Sequence, residues 1–61
     1  MEDNKQVTLG SLENGTEFWF AIVKFHVVQR SETYPDLIMC KIEDHENFCF
    51  ISDATLVTLR L

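Results

Sequence analysis

A chain of 61 residues with ten acidic and five basic side chains, net charge −5, is one small domain. Free nucleic acid and anionic membranes, which select clustered Lys and Arg, are poor fits as ligands. At 46% hydrophobic, with five Phe, one Trp and one Tyr, the chain is too apolar for disorder, yet small enough that oligomerisation is an expected support.

The opening Met-Glu-Asp-Asn-Lys-Gln lacks the basic and apolar regions of a secretory signal, and no apolar stretch reaches the length of a membrane-spanning helix. A cytoplasmic location is expected, with residues 1–5 loosely ordered ahead of a single β domain covering 1–61. Val7 and Leu9 alternate with Gln6 and Thr8, which predicts a short first strand. Residues 10–16 form a turn segment in which Asn14-Gly15 tolerates positive φ and Leu12 is expected to plug the end of a barrel.

Residues 18–28, Phe-Trp-Phe-Ala-Ile-Val-Lys-Phe-His-Val-Val, are apolar at nine of eleven positions. A strand of this run is greasy on both faces, more than so short a chain can cover with its own core. Phe18, Phe20 and Ile22 share one face, and past Lys24 the period changes parity to Phe25 and Val27. A bulge or tight turn near Ala21 to Lys24 accounts for that shift, although no Gly or Asn is present there.

Arg30 to Asp36 reads as a polar loop stopped by Pro35. Leu37–Ile42 is the next strand, with Ile38, Cys40 and Ile42 on one face and Leu37 and Met39 on the other. Residues 43–47 turn the chain back into Phe48–Ile51. Ser52 to Thr55 is a capped turn, with a turn of 3₁₀ helix as an option, and Val57–Leu61 is a closing strand. No helical period and no repeat are seen. The fold expected is all-β: a small antiparallel, five- to six-stranded, SH3-like or OB-like partly open barrel, or else a flat meander whose bare face pairs with a twin.

Chemistry is sparse. Cys40 and Cys49 lie in consecutive strands: pairing Ile42 with Asn47 places them directly opposite, where a cross-strand disulfide is geometrically possible, whereas pairing Ile42 with Phe48 offsets them. Without a secretory signal, reduced and buried thiols are the expected state. Their spacing does not suit structural zinc. His45 among Glu43, Asp44 and Glu46 resembles a weak cation loop, but a solvated acidic tip is the plainer reading. No catalytic, cofactor-binding or metal residue is assigned, and activity as an enzyme is not expected. Trp19 stands out instead, with Val23 and Met39, as a contact patch on the outer face; Glu43, Asp44 and Glu46 are acids to offer a basic target. The competing reading packs Trp19 beneath residues 31 to 36.

Leu9-Gly10-Ser11-Leu12-Glu13-Asn14-Gly15-Thr16-Glu17-Phe18-Trp19-Phe20 fits an L-x-x-L-x-x-G-T-x-F-x-F pattern. It resembles the openings of small uncharacterised bacteriophage and prophage proteins predicted as β-barrels, with a tail similar to Ala54–Leu59. Ala21 to Lys24, where those proteins carry a Gly or Asn turn, departs from the pattern. The resemblance implies a viral protein of the host cytoplasm and, by analogy, a homodimeric inhibitor of a host anti-phage defence protein. Other readings are a nucleotide- or nucleic-acid-binding barrel stacking bases on Trp19, Phe20 and Phe25 with Lys24 or Arg30 nearby, a structural or assembly component of the phage, and DNA mimicry. The basic residues Lys5, Lys24, Arg30, Lys41 and Arg60 are scattered along the sequence, so nucleic acid is an unlikely partner and a second copy of the chain a favoured one.

Overall fold

Period-two alternation becomes strand wherever it occurs. The computed structural model describes residues 4–60, and it places β1 at Asn4–Thr8, β2 at Glu17–Phe20, β3 at Val23–Arg30, β4 at Leu37–Ile42, β5 at Phe48–Ser52 and β6 at Leu56–Arg60. These form one six-stranded antiparallel sheet in the order β1-β6-β2-β3-β4-β5. β1 and β5 are both edges, so the sheet does not close into a barrel. The expected loose start is a strand at Asn4 and Lys5; residues 1–3, and Leu61 at the end of the expected last strand, lie outside the described residues.

The core gathers on one face: Leu9, Phe18, Phe25, Val27, Ile38, Cys40 and Val57 are buried, with Val7, Leu12, Ile42, Cys49, Ile51 and Leu59 packed around them. Phe18 and Phe25 face each other across β2 and β3 and stack with centroids 5.3 Å apart. Leu12 does close against this core. Leu9 is not part of the first strand; it sits in a 3₁₀ turn, Leu9–Ser11, that drops its side chain into the centre of the core. The 3₁₀ turn thus precedes β2, while Ser52–Thr55 is a turn whose Ser52 hydroxyl accepts the Ala54 N–H.

Two irregularities set which side chains face which way. The parity change after Phe20 is a two-residue hairpin turn, since Phe20 pairs with Val23. Ala21 has φ +56, and positive φ at the first central residue alone matches a type II′ turn, where glycine is the usual occupant. Ile22 therefore does not join Phe18 and Phe20; it caps the tip and is 93% exposed. Val23, paired with Phe20, lies on the core side of the sheet and not with Trp19 on the outer side. Sequence alternation cannot count through a turn built on a non-glycine residue, and that is why both placements shift.

The second irregularity is a bulge at Val28, between the pairs Val27–Cys40 and Gln29–Met39. One extra residue turns the end of β3 over. Arg30, expected in a loop, ends the strand opposite Ile38 on the core side. Its guanidinium donates to the carbonyls of Pro35 and Gly10 and to the Asp53 carboxylate, tying three loops together at one end of the core.

Candidate functional site

The two sheet edges differ in their protection. β1, Asn-Lys-Gln-Val-Thr, is polar and carries Lys5. β5, Phe-Cys-Phe-Ile-Ser, has no charge and no proline, although an edge strand offers unpaired backbone donors and acceptors to any second chain. Phe48 and Phe50 stand on its outer face, 56% and 53% exposed. Of the two registers open to these strands the structure has the opposed one: Cys49, half-buried, faces Cys40, and both rings point outward.

Phe50 also helps to line a shallow cavity of about 280 Å³ together with Ser31, Thr33, Tyr34 and Leu37. This is the space beneath the β3–β4 loop. Leu37 and Phe50 fill that role, and Trp19 does not lie there.

Trp19 is half-buried on the outer face, where it pairs with Thr58 on β6 and Lys24 on β3. The Lys24 ammonium lies 5.3 Å and the Arg60 guanidinium 4.8 Å from its ring centre. Further across the same face His26 pairs with Lys41, and Lys41 with Phe48, whose ring its ammonium overlies at 6.0 Å. Met39, between Gln29 and Phe50, continues the face.

Charge follows topology closely. All five basic residues fall inside strands, whereas among the described acids only Glu17 does; Glu13, Glu32, Asp36, Glu43, Asp44, Glu46 and Asp53 lie in connections. Three of the five cations, Lys24, Lys41 and Arg60, point to the outer face. Glu17 is 3.3 Å from Lys24 on that face.

The candidate contact residues therefore divide into groups. Trp19 and Met39 share the outer face, and Glu43, Asp44 and Glu46 form an exposed acidic connection leading into β5. Val23 belongs with Phe20 and Ile22 at the hairpin tip, which presents exposed apolar surface of its own. Ile22, Phe48, Phe50 and Arg60 were not singled out by sequence reasoning.

The thiols offer little reactivity. Cys40 and Cys49 are cross-strand neighbours and both are free. Their hydrogens go to the Ile38 and Cys40 carbonyls, each at 3.6 Å. Desolvation, helped by the nearby Cys49, pushes the Cys40 thiol up to about 11, and burial raises Cys49 as well. Both therefore hold their protons at neutral pH, whereas a nucleophile or metal ligand must be a thiolate. Among the described residues no three His, Cys, Asp or Glu side chains are grouped to hold a metal ion, and no helix is long and apolar enough to cross a membrane. No protein family, curated protein or solved structure matches the chain.

Proposed function

We propose that the protein works by association: it forms a homodimer through the open edge of β5 and blocks a host protein. The observation that carries this reading is the uncharged, unguarded β5, which carries two exposed phenylalanines. An antiparallel β5–β5 pairing across a two-fold axis satisfies both edges with the same surface, as a closed dimer requires. It also extends the sheet so that Phe48 and Phe50 of the two copies meet.

The apolar hairpin tip (Phe20, Ile22, Val23) and the acidic connection (Glu43, Asp44, Glu46) then remain as surfaces for a further partner. An isoleucine held in water on a turn that itself disfavours alanine breaks two local rules at adjacent positions, a pattern expected where function outweighs stability. An inhibitor of a host defence protein fits such a small binding module, and the resemblance of Leu9–Phe20 to phage proteins supports the same reading. The architecture in this proposal is a small SH3-like or OB-like barrel, left open between β1 and β5.

Light scattering during gel filtration tests the dimer. The expected mass is twice the 7.1 kDa of one chain, reverting to one chain when Phe50→Lys places a charge on the edge. A monomer at all concentrations removes the reading.

A further inference from the structure

We propose that the outer face of the sheet is a platform for single-stranded nucleic acid, RNA or DNA. The overall charge argues against such a ligand only if charge is evenly spread, and here it is segregated. The side chains that the strands send to the outer face include Lys24, His26, Lys41 and Arg60, with Glu17 the one strand carboxylate among the described residues. Most of the described acids sit in the connections between strands.

Aromatic rings are interleaved with those cations. Trp19 on β2 lies between Lys24 and Arg60, and Phe48 on β5 lies beneath Lys41. Three interstrand spacings separate β2 from β5, about 14 Å, so the two rings can receive different bases of one strand. Stacking supplies sequence-tolerant affinity, and the three cations meet the phosphates on either side. A duplex would meet the cations but not the rings, because its bases are already stacked on one another. An acidic protein segment would use the cations but gain much less from two separated rings. All these side chains belong to one copy, and pairing of β5 edges joins the sheets side by side and leaves their outer faces open, so the platform requires no second copy.

Trp19 is the only tryptophan, so its fluorescence reads this site directly. Titration with oligothymidylate and oligouridylate of about twelve nucleotides, a length within the usual footprint of a small β-sheet binder, is expected to quench it saturably at low salt. The slope of log affinity against log salt should be about −2, from three phosphate contacts. The Lys41→Gln/Arg60→Gln variant should weaken binding at least tenfold and flatten the slope, while Glu17→Gln should tighten binding. Phe48→Leu, which keeps the tryptophan signal and the apolar volume, should weaken it severalfold. Absence of quenching at low salt overturns the proposal. So does equal quenching by polyglutamate of matching length, which assigns the face to acidic protein, or by duplex DNA. So does binding that the cation variants leave unchanged in folded protein.

Discussion

The guanidinium of Arg30 lies 3.1 Å from the carboxylate of Asp53, 23 residues further along the chain. That contact is one branch of a fork that also reaches the carbonyls of Gly10 and Pro35. The ion pair alone is half-exposed and worth under about 1 kcal/mol, but the backbone branches add charge-assisted hydrogen bonds. Arg30→Ala is therefore expected to cost about 2 kcal/mol in urea unfolding, and Asp53→Ala about half as much. Arg30→Lys should restore little, because an ammonium cannot span three acceptors in a fixed plane. A full rescue by lysine would reduce the fork to a simple charge contact.

The same corner constrains Gly10. A β-carbon there would lie 2.9 Å from the Asp53 β-carbon and 3.2 Å from its carbonyl oxygen. Gly10→Ala should thus cost about 1–3 kcal/mol of stability, as for other forced overpacking, read as a lower urea midpoint with the unfolding slope unchanged.

At the hairpin tip the prediction has the opposite sign. Ala21 occupies φ +56, which costs an L-residue roughly 1 kcal/mol relative to glycine. Ala21→Gly should raise the melting temperature, with a gain of up to about 1 kcal/mol. Ile22→Asn should leave stability nearly unchanged, since the side chain is almost wholly in water. A fall in stability with Ala21→Gly would mean that the turn does not carry strain.

Much of the sheet was legible in the sequence because one face is buried. Phe18, Phe25, Val27, Ile38, Cys40 and Val57 alternate with polar or outward residues, and a buried face fixes register strongly. Leu9 was misread because its period with Val7 continues unbroken into the 3₁₀ turn. Val23 and Ile22 were misplaced because Ala21 carries no turn signal; the Phe20–Val23 pairing closes the hairpin and holds Ala21 at positive φ. Arg30 depended on a one-residue bulge, which leaves no compositional trace. The outer face was hidden for a different reason. Lys24, Lys41 and Arg60 are far apart in sequence and meet only through the pairings of β6 with β2 and of β3 with β4.

The thiols set an alkaline limit on stability. Folded Cys40 keeps its proton up to about 11, while an unfolded thiol loses it near the ordinary value of about 8.5. Between those values the unfolded state binds fewer protons, so stability falls as pH rises. Cys49 is shifted in the same direction. Urea midpoints should be flat in thiol titration below about pH 8, then decline toward pH 11. Cys40→Ala should lower stability at neutral pH and lessen that decline. An unchanged alkaline slope in the variant would assign it to other groups.

Within the core, Phe18 is fully buried against Phe25. Phe18→Ala removes about 3–5 kcal/mol, comparable to what so small a core supplies in total. Circular dichroism should show this variant largely unfolded at room temperature, with Phe18→Leu folded but less stable. A cooperative, native-like Phe18→Ala would place the main packing elsewhere.

Amide hydrogen exchange at rising protein concentration tests the association claim most directly, because it reports where the copies meet. Pairing through β5 makes its amides, Phe48–Ser52, exchange more slowly as concentration rises, while those of the polar edge β1, Asn4–Thr8, keep one rate. Exchange in β5 that ignores concentration, or slowing confined to β1, would contradict it.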